Sequence, residues 1–113
     1  MKMTNFICLK ALPQWLALDR KDRVTISEQA LSRVLEGTSV SYRYFDAEAF
    51  SSHISDVAMI EAETPREYYF AIEWLRDSQL FPVPYFELVE TIPTFENGFQ
   101  VFEADQYSEG RVG

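Results

Sequence analysis

The chain has 113 residues, 47% hydrophobic and 15% aromatic, with a formal net charge of −8 and a pI near 4.5. That length suits one domain burying roughly two-thirds of the surface its unfolded chain exposes. The acidic balance excludes a general affinity for phosphate backbones, the lone Cys8 excludes an internal disulfide, and no run approaches the ~20 apolar residues of a membrane span.

Arg20, Lys21 and Arg23 make the densest basic cluster, but Asp22 interrupts it, and it reads as a solvated helix start. Lys2 precedes a short apolar run that Lys10 and Pro13 cut off without a small-residue cleavage site. With one cysteine, the expectation is a cytoplasmic protein that binds neither nucleic acid nor membrane. Nine Phe, six Tyr and two Trp exceed what a core of this size needs. Some rings are therefore expected in a pocket or a subunit interface.

In chain order, Phe6 to Leu12 predicts a first strand, apolar on both faces and ended by Pro13. Gln14 to Leu18 carries Trp15, Leu16 and Leu18 over the surface. A helix then runs from an Asp19 cap to about Glu36, with Val24, Ala30, Leu31, Val34 and Leu35 on one side and Gly37 just past its end. Val40 to Asp46 alternates with period two and predicts the second strand. A connection from Asp46 to Ser55 carries Glu48 and His53, with one helical turn at Ala47 to Phe50.

The third strand, Val57 to Ala62, has small residues on the face of Ala58, Ile60 and Ala62. That face suits a close-packed helix, which puts Glu61 on the other. Thr64-Pro65-Arg66-Glu67 is a capping box with proline at the first helical position, opening a second helix to about Asp77. Tyr68, Ala71, Ile72 and Leu75 point it at the sheet, leaving Phe70 and Trp74 aside. Pro82 and Pro84 lead stiffly to a fourth strand, Tyr85 to Ile92, ended by Pro93. Asn97-Gly98 signals a hairpin, making Gln100 to Glu103 an extra strand or arm.

The order β-α-β-β-α-β is the split-βαβ or ferredoxin-like layout of an α+β domain. Residues 1–105 form that single domain with its C-terminal arm, and residues 106–113 a flexible tail. Both helices cover one sheet face. The other, with Phe6, Cys8, Lys10, Val57, Met59 and Glu61, is mostly apolar and calls for a second copy as its cover. A homodimer follows.

Several stretches resemble the darcynin family of small bacterial proteins. They are Pro13-x-Trp15-Leu16-x-Leu18-x-Arg20-x-x-Arg23, Arg43-x-Phe45-Asp46-Ala47-Glu48-Ala49-Phe50, Ser55-Asp56-Val57 and Pro84-Tyr85-Phe86-Glu87. The resemblance spans roughly Phe6 to Phe99. It implies a dimeric α/β-barrel fold and no established activity. Other proteins of that fold include cofactor-free monooxygenases, isomerases and haem enzymes, which is analogy at the level of fold.

Asp46, Glu48, His53 and Asp56 form the strongest local cluster. His53 oriented by Asp46 has the make-up of a general base, set against an exposed loop histidine among backbone-capping acids. One histidine with loop carboxylates falls short of a metal site, and a haem would lack an apolar pocket there. No metal or cofactor is expected. Arg43 and Tyr44 are candidates for holding a carboxylate or phenolate, with Trp15 as a roof; Arg43 paired with Glu61 or Asp56 is the rival reading. Cys8, in mid-strand, reads as an inert small hydrophobe.

No residue set demands catalysis, so the leading expectation is a non-enzymatic dimeric module. The alternative is a cofactor-independent, monooxygenase- or isomerase-like enzyme acting on an apolar or aromatic molecule. A cavity with converging polar groups distinguishes the second from the first.

Overall fold

The structure, a computed structural model, describes residues 2–107. Four strands, β1 (Met3–Ala11), β2 (Ser41–Asp46), β3 (Asp56–Ala62) and β4 (Phe86–Phe95), form one sheet in the order β2-β3-β1-β4. Every pairing is antiparallel. Four helices, α1 (Pro13–Leu16), α2 (Arg20–Leu35), α3 (Pro65–Asp77) and α4 (Gly98–Tyr107), complete a mixed, ferredoxin-like type of architecture.

Register fixes the two faces of the sheet. Ile7 opposes Ala58 and Tyr42 opposes Ile60, so these side chains share the face under α2 and α3. Phe6 opposes Met59 and Cys8 opposes Val57 on the outer face, as their alternation predicts. The core lies on the helix side: Ile60 and Ala62 are fully buried, with Ile7, Val34, Ala71 and Leu75 packed around them. Ala58, Ala62 and Ala71 let α3 approach β3 closely.

Helix ends follow their caps. Asp19 accepts a hydrogen bond from the Asp22 N–H at 2.8 Å, and Gly37 leaves α2 at a positive φ of 72°. Thr64 caps α3 by accepting from the Glu67 N–H at 3.2 Å. The Glu67 carboxylate does not return to the cap; it accepts from the Ser39 hydroxyl, tying α3 to the segment before β2.

Three expectations need correction. The surface link after Pro13 contains the short helix α1, with Pro13 as its first residue. Pro93 does not end the fourth strand, which runs on to Phe95. β4 is an edge strand paired only with β1, where a residue lacking an N–H is tolerated. Finally, Gln100 to Glu103 is helical, inside α4. Asn97 does take the left-handed conformation of a turn (φ 52°), but the turn opens a helix. A returning strand would need donors along the outer edge of β4, where Pro93 offers none. Of the expected tail, residues 106 and 107 end α4, and 108–113 lie outside the described residues.

Candidate functional site

Between the sheet and the two long helices lies a cleft of about 970 Å³, at the upper end of the ~300–1,000 Å³ usual for small-molecule sites. Ile7, Leu9, Ala58 and Ile60 make its floor. Val24, Ser27, Glu28 and Leu31 of α2 face Tyr68, Ile72 and Glu73 of α3 across it. Trp15, Phe86 and Leu88 stand at one side. The lining is predominantly apolar and aromatic.

Its polar groups come from α2 (Arg23, Ser27 and Glu28), from α3 (Glu73 and Arg76) and from β2 and the start of β3, where they are most closely linked. Tyr44 opposes Ala58, so its ring lies on the cleft face and its hydroxyl donates to Asp56 Oδ1. Burial, then the hydrogen bond to Asp56 and its charge, push the Tyr44 phenol far above its usual value. It stays protonated and acts as a donor. Burial, then the charge of Asp56, raises Tyr42 as well, and burial raises Tyr68. Asp56 also accepts from Ser55 Oγ at 2.5 Å. Ser55 accepts from the Ala11 N–H at 2.7 Å, so the carboxylate sits on a rigid junction with β1.

The Trp15 side is equally organised. Its ring lies against Phe86 at 4.7 Å and edge-on to Tyr85 at 5.5 Å between centroids. Arg23 reaches back from α2, donating through Nε to the Trp15 carbonyl at 3.1 Å and through a terminal nitrogen to the Leu16 carbonyl at 2.9 Å. These carbonyls end α1, where a cation is favourable. The guanidinium lies 6.0 Å from the Trp15 ring centroid.

Of the sequence-predicted site residues, the structure brings Tyr44 and Trp15 to the cleft. Arg43 is on the opposite face of the sheet, over the Phe45 ring at 5.1 Å. Its proposed partners are otherwise engaged: Glu61 pairs with Lys2 at 3.5 Å, and Asp56 with Tyr44. His53 is exposed on the loop, where its main-chain N–H donates to Ser51 Oγ at 3.2 Å. Asp46 is exposed too and accepts from the Glu48 N–H at 3.1 Å. Neither His53 nor Asp46 lines the cleft. Among the described residues, no group of three His, Cys, Asp or Glu could hold a metal ion, and no helix is long and apolar enough to cross a membrane. Cys8 is buried, which with the charge of Glu90 raises its thiol pKa and favours the unreactive thiol. The sequence grouped Asp56 with the loop cluster rather than with Tyr44, and it marked none of Arg23, Ser27, Glu28, Glu73 or Arg76 as lining a site. Proline opening a short turn at Pro13, with a cation some two turns beyond the end of that turn, is the signal for Arg23.

An antiparallel four-stranded sheet with helices over one face and an apolar cleft between the layers defines a ferredoxin-like α+β domain. Solved structures with this shape include the chlorite dismutase from Candidatus Nitrospira defluvii in complex with imidazole (TM-score 0.67, 13% identity, 81% of this chain and 38% of that one). A variant of the same enzyme aligns over 99% of this chain and 50% of its own, with a TM-score of 0.67 and 12% identity. The chain thus spans 38% to 50% of those chains, and the likeness is one of fold. By sequence, the chain belongs to the darcynin family: the model described as "Darcynin, domain of unknown function" matches residues 1–109. Darcynin 1 from Acinetobacter baumannii is 43% identical over 90 residues, 79% of this chain and all of that protein. A darcynin from Chromobacterium violaceum is 52% identical over 65 residues, 58% of this chain and 82% of the other.

Proposed function

We propose that this darcynin is a cytoplasmic, homodimeric protein of the α/β-barrel type that binds a small apolar or aromatic molecule in the cleft. The observation that carries the proposal is the cleft itself, wide, apolar, and furnished at one end with the Tyr44–Asp56 pair. A module whose rings served only core and interface would have a filled interior. The ligand's apolar body lies over Ala58 and Leu9, and a hydroxyl or N–H donates to Asp56. Tyr44 holds that carboxylate in place while keeping its own proton, so the pair is built to orient a ligand. The enzymatic reading survives in one form, with Asp56 as the proton acceptor. His53 and Asp46 would contribute only if their loop folded towards the cleft. The homodimer rests on the apolar outer sheet face.

The test is binding of the fluorescent probe 8-anilinonaphthalene-1-sulfonate, with Ser27→Leu as the perturbation. Ser27 is half-buried on the α2 wall of the cleft, so a leucine there fills space left open above the apolar floor. The wild-type protein should bind the probe in a 1:1 ratio, and the variant at least ten-fold more weakly, with its circular dichroism unchanged. Equal binding by the two would refute the cleft as the site. Native mass spectrometry of protein from its own host adds a direct reading, since a bound molecule adds a reproducible mass.

A further inference from the structure

The end of the chain is built differently from the rest. From Asp77 to Tyr107 it carries six acids (Asp77, Glu87, Glu90, Glu96, Glu103, Asp105) and no Lys or Arg. Its last element, α4, has no buried residue, and Phe99 (72%), Phe102 (55%) and Val101 (44%) are exposed. Ten residues fall short of the ~12–15 at which even a good helix former is marginally stable alone in water. The whole molecule is correspondingly drawn out. Its radius of gyration is 17.2 Å and its long axis 61 Å, against about 13 Å for the radius of a compact chain of this length. An apolar, acidic arm thus stands clear of its own domain.

The same chain offers what such an arm lacks. On the outer sheet face, Phe45 (42%) and Ile92 (41%) are exposed beside Met59 and Val57. Within that apolar surface Arg43 presents a guanidinium that no carboxylate among the described residues pairs with. β2, which carries Arg43 and Phe45, is a free edge of the sheet. Acid-rich rings on the arm and a cation among rings on the sheet are complementary in both charge and apolarity.

We propose that the C-terminal arm is exchanged between two copies of this chain. Helix α4 of each copy lies on the outer sheet face of the other, seating Phe99 and Phe102 beside Phe45 and setting the arm's Glu96 and Glu103 against Arg43. Exchange by a two-fold axis makes both contacts identical and closes the assembly at two copies. The proposal rests on the homodimer reading above but goes further, because a dimer held by sheet faces alone would leave the arm unused.

The test uses the full chain, with mass measured by light scattering over a dilution series. Arg43→Glu is an exposed change, and so is the pair Phe99→Ser and Phe102→Ser; each should weaken the dimer at least ten-fold while circular dichroism and probe binding in the cleft stay intact. Adding Glu96→Arg and Glu103→Arg to Arg43→Glu should restore at least part of the loss, which a general disturbance of the surface would not. If all variants dimerise as the wild type does, arm exchange is refuted and the sheet-face dimer stands. A wild-type protein that is monomeric at tens of micromolar refutes both.

Discussion

Arg23 offers the most direct trial of how the cleft wall is held. Arg23→Met keeps the side chain's apolar stem and removes both donors from the carbonyls of Trp15 and Leu16. Hydrogen bonds from a charged donor contribute ~1.5–3 kcal/mol when shielded and less when wet. One of these is partly buried and the other exposed, so their joint loss should cost about 2–3 kcal/mol. Unfolding entropy of ~2.1 cal/mol/K per residue gives about 240 cal/mol/K for this chain, and a fall in Tm of roughly 8–12 °C. Arg23→Lys should fall between, since an ammonium keeps the charge but lacks the fork that spans two carbonyls.

Thermal unfolding followed by circular dichroism measures the loss, and tryptophan fluorescence reports the local consequence. Releasing α1 frees Trp15 from Phe86 and Tyr85, so its emission should shift to the red below the melting transition. A Tm within ~3 °C of wild type for Arg23→Met would refute the reasoning. So would a lysine variant as stable as the parent. In either case the two hydrogen bonds would add nothing to what solvent provides.

Two further outcomes follow from the same geometry. Ile60→Ala removes the largest fully buried side chain of the sheet's helix face and should cost about 2–5 kcal/mol, read from urea unfolding. Burial and Asp56 raise the Tyr44 phenol above its ordinary value near 10. The unfolded chain therefore loses that proton first, so the contribution is complete below about pH 10 and declines as pH rises further. Tyr44→Phe should flatten that alkaline decline in urea midpoints, and an unaltered slope would count against the Tyr44–Asp56 bond.

The layers of this fold are legible because periodicity and residue size agree. Ala58, Ile60 and Ala62 alternate with Val57, Met59 and Glu61, and small residues on one side mark where a helix approaches. That Phe6 and Met59 share the outer face follows from alternation, and the caps at Asp19 and Thr64 follow from local chemistry. The site is less legible, because it depends on partners distant in the chain. Tyr44 meets Asp56 only through the register of β2 on β3, and Arg23 acts on carbonyl groups, which leave no mark in side-chain patterns. Asp46 ends β2 and His53 sits on the loop that follows, and each is shown bonded to a neighbouring main-chain N–H or hydroxyl rather than to the other. Beyond Asn97, a turn dipeptide leads into Phe99-Gln100-Val101-Phe102, which suits a strand as well as a helix.

The cleft and the close packing have one origin. α3 reaches β3 because Ala58, Ala62 and Ala71 are small, and the core fills where Val34 and Leu75 meet that surface. Towards the start of α2 the residues facing the sheet are Val24, Ser27 and Glu28, too short or too polar to fill the space above Ala58 and Leu9. An interior built only for stability would place leucine or phenylalanine at position 27, since filling space over an apolar floor is favourable. Ser27 leaves that stabilisation unused while Tyr42, Tyr44 and Tyr68 set hydroxyl-bearing rings around the opening. The arrangement is costly for a structural module and well suited to a guest that supplies the missing apolar volume itself.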